Sequence, residues 1–259
     1  MDRPETNYAW NGDVSLAYQV VGEGPVDVLL VPGWFSNLDL QWESPYLARF
    51  LRRLSEQARL IITDRRGWGL SERFSPGDVP PLETLADDLG VVLDAAGSER
   101  AVVATADDTG LIAQFFAAAH PERVAGLILI NSYVSYRATE ETPWMPDRTW
   151  WEEFNQTIRD TWGRRSWEGG PDVGGAAERS WFLRMQRGCN APGANVAEIR
   201  RFVDTSTADV LPAIRVPTLV LSDSDSHGGS FEVQTARYLA ARIPLARLVE
   251  YSGSWASGI

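Results

Sequence analysis

Lysine is absent: all 24 basic residues among the 259 are arginine. Arginine and lysine do similar solvation work on a surface, so this bias reads as GC-rich codon usage rather than function. Cysteine occurs once, as Cys189. No internal disulfide can form, and a lone cysteine is more often a small buried hydrophobe than a nucleophile, which points to a cytosolic protein. Histidine occurs twice, at His120 and His227, which restricts where a general base can stand. No apolar run approaches the roughly 18 to 20 residues that a membrane span needs, and the opening MDRPETNYAWNGD lacks the apolar stretch of a signal peptide. A soluble chain with no membrane partner is expected. Positive charge is also in short supply, with 24 basic against 35 acidic residues, a net charge of −11. Nucleic acid is therefore excluded as the main partner, because polyanion binding relies on a basic patch.

What the chain does have is enough apolar residue to bury a core, 44% of the sequence, in a length that suits one α/β domain with an insertion. Four short apolar runs each lead into a polar turn. Val26 to Val31 precedes Pro32-Gly33, Leu60 to Thr63 precedes Asp64-Arg65-Arg66-Gly67, Ala101 to Ala104 precedes Asp107-Asp108-Thr109-Gly110, and Gly126 to Ile130 precedes Asn131-Ser132. Runs that are apolar throughout, rather than alternating, are expected of parallel strands covered on both faces. Between them Leu82 to Ala96 and Leu111 to Ala119 carry helical spacing. The reading is an open, mostly parallel sheet with helices on both faces, with functional residues in the turns at the carboxyl ends of the strands. From Tyr136 to Asp209 the pattern changes: six of the eleven tryptophans fall here, with helical segments near 149–161 and 197–202. The domain organisation read from this is a core over 1–135, a helical, Trp-rich lid over 136–209, and the rest of the core over 210–259.

Several of these segments together resemble the α/β-hydrolase superfamily. Pro32-Gly33-Trp34 is similar to its oxyanion-hole loop and Asp64-Arg65-Arg66-Gly67-Trp68-Gly69-Leu70-Ser71 to its D-x-R-G-x-G-x-S turn. His120-Pro121-Glu122-Arg123-Val124 resembles the join after the nucleophile helix, and LPAIRVPTLVL the return to the sheet after the lid. More narrowly, RPETNYAWNGDVSLAYQVVGEGP and DVLPAIRVPTLVL look like hydrolase-like domains associated with actinobacterial class III adenylate cyclases. No cyclase domain is present in these residues.

The resemblance implies a nucleophile on a tight strand-to-helix turn. Counting without gaps from both flanks places Asp107 there, while a one-residue shift would place Asp108 there and suit the small-residue rule better. Thr105 and Thr109 stand where glycines are usual, which is expected to crowd the turn. Aspartate serves as nucleophile in haloalkane dehalogenases and epoxide hydrolases of this superfamily. The plainer alternative is that both acids cap the following helix. The family's histidine position falls on Ala256 in Gly253-Ser254-Trp255-Ala256, so the usual base is missing. His120, at the far end of the nucleophile helix, about 20 Å from the turn, reads as structural. His227, in the loop Asp223-Ser-Asp225-Ser-His227, is the remaining candidate base, with Asp225 as its acid and Asp223 behind it; a solvated loop histidine is the plainer reading. The backbone N–H groups of Trp34 and Asp108, beside Gly33, are the expected oxyanion or ligand donors. About half of the lid tryptophans are expected to face a small hydrophobic ligand. Asp64 and Arg66 are expected to brace loops. No metal or cofactor motif occurs.

Three functions stay open: a hydrolase of small apolar esters, epoxides or halides acting through Asp107; a ligand-binding or sensor domain without the triad; and a degenerate or shortened product without activity. The sequence ends at Ile259, where relatives continue into a last helix. The apolar surface this leaves is expected to mean a partner, a homodimer or marginal stability.

Overall fold

The computed structural model describes residues 3–164, 175–224 and 230–252. The strands are β1 (Asn7–Asn11), β2 (Val14–Val21), β3 (Asp27–Val31), β4 (Arg59–Thr63), β5 (Ala101–Ala106), β6 (Val124–Ile130), β7 (Thr218–Asp223) and β8 (Ala246–Tyr251). They form one sheet in the order β1-β2-β4-β3-β5-β6-β7-β8. β1 pairs antiparallel with β2, and β2 with β4; from β4 to β8 every pair is parallel. The helices are α1 (Pro45–Ser55), α2 (Leu82–Ala95), α3 (Thr109–Ala119), α4 (Arg148–Thr161), α5 (Ala176–Cys189), α6 (Pro192–Phe202) and α7 (Ser230–Arg242). This is an α/β-hydrolase fold.

The apolar runs become strands because successive side chains need a core on each face of the sheet. Leu29 and Val31 of β3 join the cluster that holds Leu89 and Leu93 of α2 and Phe116 of α3, whereas Val28 joins the one that holds Leu51 of α1. Ile61 of β4 goes to the first cluster, and Leu60 and Ile62 to the second. The N-terminal hairpin gave no apolar run, since β1 is an edge strand that buries only Ala9 while Tyr8 and Trp10 stay exposed.

The order of strands places the ends of β3, β5 and β6 side by side, with those of β7 and β8 next along the same carboxyl edge. Between β6 and β7 run α4, α5 and α6, whose Trp151, Ile158, Met185 and Ile199 belong to the same cluster as the sheet.

Candidate active site

Ala106 ends β5 and Thr109 begins α3, so the chain reverses in two residues. So short a turn forces Asp107 into the left-handed region, at φ +52, a conformation costing a side chain about 1–2 kcal/mol. The surroundings hold it there: its amide donates to the Ile130 carbonyl at 3.0 Å, and its own carbonyl accepts from Gly110 and Tyr133, both at 3.2 Å. The elbow residue is therefore Asp107 and not Asp108. Asp108 follows with ordinary helical backbone at the N-cap position of α3, without a side-chain cap hydrogen bond; its carboxylate turns to Arg65, 2.6 Å away.

The crowding expected of Thr105 and Thr109 does not deform the turn. Thr109 is fully buried, and its hydroxyl donates to the carbonyls of Ala106 at 2.7 Å and Val31 at 3.1 Å, stapling the elbow to the end of β3. Glycine is required one strand over. A Cβ on Gly33 would lie 2.8 Å from Asp107 Oδ2 and 2.9 Å from the Ala106 carbonyl, so the loop backbone rests directly on the carboxyl group. The next residue, Trp34, stacks on Trp151 with ring centroids 6.4 Å apart and meets Phe154 edge-on at 5.4 Å. Its buried Nε1 has no hydrogen-bond partner among the described residues.

Facing Asp107 are groups from three other strand ends. Tyr133 follows β6, Glu232 sits in the first turn of α7, and Tyr251 ends β8. Burial pushes the Asp107 carboxyl well above the usual carboxylate range, and the negative charges of Glu232 and Asp108 push it further. Burial likewise raises the Tyr133 phenol, helped by Asp107 and Glu232, and pushes Tyr251 up to about 12, helped by Asp223 and Asp107. Asp223 is buried at the end of β7, its amide donating to Asn131 Oδ1 at 2.8 Å. Asp225 and His227 lie outside the described residues, as does the stretch from Gly253 to Ala256. Glu232 was not anticipated, because an acid in the first turn of a helix looks like ordinary dipole compensation.

Below the elbow lies a second buried polar group. Arg65 Nη2 meets Asp108 Oδ2 at 2.6 Å and Nη1 meets Glu198 Oε1 of α6 at 2.5 Å, all three side chains at most 7% exposed. The guanidinium lies over the Trp68 ring, 4.3 Å from its centroid, while Trp68 Nε1 donates to Glu198 Oε2 at 2.6 Å. Burial pushes Glu198 up to about 7 despite Arg65. Nothing in the sequence distinguishes Arg65 from Arg66 beside it. The bracing roles expected of its neighbours hold: Arg66 pairs with Asp88 of α2, and Asp64 accepts from the Leu38 and Leu70 amides at 3.1 and 2.8 Å and from the Ser36 hydroxyl. Burial pushes Asp64 up to about 6.

Most of the tryptophans between β6 and β7 spend their indole N–H on the protein. Trp144 donates to Thr235 Oγ1 at 2.9 Å, Trp162 to the Asn190 carbonyl at 3.0 Å, Trp181 to the Leu40 carbonyl at 2.8 Å, and Trp151 to the Tyr136 carbonyl. Trp150 is exposed and stacks on Phe154, and Trp167 lies outside the described residues. His120 caps the far end of α3 beside Phe116, Asp87 and Glu122. It is remote from the elbow, as expected.

The direction of the acid shifts sets a pH dependence. Asp64, Asp107, Asp108 and Glu198 all have folded values above their unfolded ones. The folded chain therefore binds more protons, and stability falls as pH rises from about 4 through about 7. The exposed carboxylates Asp204 and Glu250 are shifted down, but solvent screens them and their window lies below that span. The denaturant midpoint is expected to be higher at pH 5 than at pH 8, with a stability difference of at least about 1 kcal/mol. A midpoint that rises over that range would contradict these environments.

An alpha/beta hydrolase fold family model matches residues 27–254. The chain belongs to the α/β-hydrolase family. Among curated proteins it is similar to the pimeloyl-acyl-carrier-protein methyl ester esterase of Yersinia enterocolitica, 31% identical over 49% of this chain and 45% of that protein. It is also 34% identical to a putative carbamate hydrolase of Azorhizobium caulinodans, over 49% of this chain and 44% of that one, and 32% identical to epoxide hydrolase 1 of Caenorhabditis elegans, over 42% and 28%. The match thus spans under half the length of these relatives. Among solved structures a bromoperoxidase from Bacillus anthracis superposes with a TM-score of 0.76 at 20% identity, over 97% of this chain and 93% of that one. An esterase from Exiguobacterium antarcticum gives 0.75 at 19%, over 95% and 91%. At such identity the likeness speaks for the fold alone. Among the described residues of this hydrolase-fold chain no helix is long and apolar enough to cross a membrane, and no group of three or more His, Cys, Asp or Glu is placed to hold a metal ion.

Proposed function

We propose that this α/β-hydrolase-family protein binds a small, largely apolar ligand beside Asp107, with α4 to α6 acting as a lid, and that Asp107 meets the ligand as a neutral acid donating a hydrogen bond. One observation carries this reading: the elbow carboxyl is buried with the charges of Glu232 and Asp108 acting on it, while Arg65 is already engaged by Asp108 and Glu198. A carboxyl so placed is shifted toward its protonated form, in which it is a donor rather than a nucleophile. Trp34 Nε1–H is a second donor without a partner, and the Trp34, Trp151 and Phe154 rings supply an apolar wall. The sensor role suggested by the likeness to cyclase-associated domains belongs with this reading.

The strained elbow favours a second reading, hydrolysis. In it the ionised Asp107 carboxylate attacks an epoxide or halide carbon, the leaving oxygen or halide departs with the bond's electron pair, and water cleaves the resulting enzyme ester; attack at the acyl carbon of an ester would expel the alkoxide and leave an acyl anhydride for water to cleave. The first step needs Asp107 without its proton, so its rate would rise with pH; the second needs a base, for which His227 with Asp225 is the candidate.

The two readings separate in one set of measurements. Small hydrophobic esters, epoxides and haloalkanes are expected to quench tryptophan fluorescence saturably at pH 7 without turnover, and Asp107→Asn, which keeps a donor, is expected to change affinity by less than about tenfold. A covalent adduct seen by intact mass, growing with pH and lost in Asp107→Asn, would establish hydrolysis instead. Absence of saturable quenching would defeat the binding proposal.

A further inference from the structure

The group beneath the elbow has a charge count that its geometry does not balance. One guanidinium, Arg65, faces two carboxylates, Asp108 and Glu198, at 2.6 and 2.5 Å. Both carboxylates are buried. The other groups facing Glu198 are Trp68, which donates to it, and Tyr136, whose phenol burial keeps protonated and so without charge. Leu82, Leu111, Ile112 and Phe202 close the apolar side of the small cavity that Asp108, Tyr136 and Glu198 line. At such burial bulk solvent screens the excess charge far less than it would on a surface. A buried cluster of one cation and two anions reaches neutrality only by taking one proton.

The three members also belong to parts of the chain far apart in sequence. Arg65 follows β4 and Asp108 belongs to the elbow, but Glu198 is on α6, 133 residues beyond Arg65. When α6 leaves the core, Glu198 goes to water, where it gives up its proton at ordinary pH, and Arg65 and Asp108 remain as a balanced pair.

We propose that docking of α6 onto the elbow is coupled to the uptake of one proton, shared between Glu198 and Asp108 around Arg65, so that the helical segment closes more tightly in mildly acidic solution and loosens as pH rises. The upward displacement of the Glu198 carboxyl by burial agrees in direction. The sign is that of any group more basic in the docked state: docking is favoured below the docked value and loses that advantage above it. This inference does not rest on the ligand reading, since it concerns a helix and not what lies beneath it.

Hydrogen exchange tests it on the full chain. The protection of the α6 amides, corrected for the intrinsic pH dependence of exchange, is expected to fall by about tenfold or more between pH 5.5 and pH 8 in the wild type. In Glu198→Gln, which keeps one acceptor oxygen for Arg65 or Trp68 but cannot ionise, the fall should vanish. A flat profile in the wild type, or the same fall in the variant, would overturn the proposal. If Glu198→Gln fails to fold, carbon-13 carboxyl titration of the wild type decides. A resonance from this cluster titrating well above the ordinary glutamate range supports the proposal, and ordinary titration of every carboxyl defeats it.

Discussion

Arg65→Met should unfold at markedly lower denaturant than the wild type, with a loss of about 3–5 kcal/mol at pH 8. Methionine keeps much of the arginine stem but removes the guanidinium, with its charge and its stacking on Trp68, so the loss is mainly electrostatic in origin. Asp108 and Glu198 are left buried side by side without a counter-charge, and each must either stay ionised at high cost or take a proton. The deficit should therefore shrink at pH 5, where the proton is cheaper to acquire. A packing defect would not depend on pH in this way. Adding Glu198→Gln to Arg65→Met removes one of the stranded charges and should recover part of the loss, a coupling that a double-mutant cycle measures directly. Equal stability of Arg65→Met and wild type at pH 8 would mean that the group beneath the elbow is not desolvated as described.

The second large effect is expected from the smallest substitution. Gly69 has φ +54, and a Cβ there would lie 1.9 Å from Asp64 Oδ2 and 2.1 Å from its Cγ. Asp64 cannot give way without abandoning the Leu38 and Leu70 amides and the Ser36 hydroxyl that it accepts from. Gly69→Ala thus combines backbone strain of about 1–2 kcal/mol with the loss of buried hydrogen bonds worth about 1–3 kcal/mol each when their donors are stranded. A total near 3 kcal/mol or more is expected from thermal or denaturant unfolding. Ligand affinity should weaken as well, since Ser36 and Leu38 belong to the segment that carries Gly33 and Trp34. Gly77, by contrast, is open on all sides, and Gly77→Ala should leave stability within about 0.5 kcal/mol of wild type. A comparable loss at both positions would argue against the specific role of Asp64.

How much of this was legible in the sequence depends on how local each signal is. The central strands were readable because a strand buried on both faces needs apolar residues at every position, and VDVLLV and GLILI have them. The elbow was readable because fixed spacing on both flanks pinned it to two residues; only backbone geometry separated Asp107 from Asp108. The hairpin at the start was illegible for the opposite reason, since an edge strand buries one face and its alternation of Tyr8, Ala9 and Trp10 is brief. Arg65 and Glu198 could not be paired from a single sequence at a separation of 133 residues, and Arg66, its immediate neighbour in the same turn, carried the more familiar expectation. Glu232 was hidden by position, because acids at helix starts are common for reasons unrelated to any site. For the tryptophans, composition revealed aromatic abundance but not which nitrogen each ring would serve.

Those indole nitrogens bear on timing. Trp181 fastens α5 to the carbonyl of Leu40, and Trp144 fastens the stretch before α4 to Thr235 of α7. A segment tied at both places resists swinging away, so exchange of the proposed ligand beneath it is expected to require both ties to break. Slow release, with residence times set by the protein rather than by the grip on the ligand, is the expected kinetic signature. Trp144→Phe and Trp181→Phe should then each speed association and dissociation together while leaving the equilibrium constant nearly where it was.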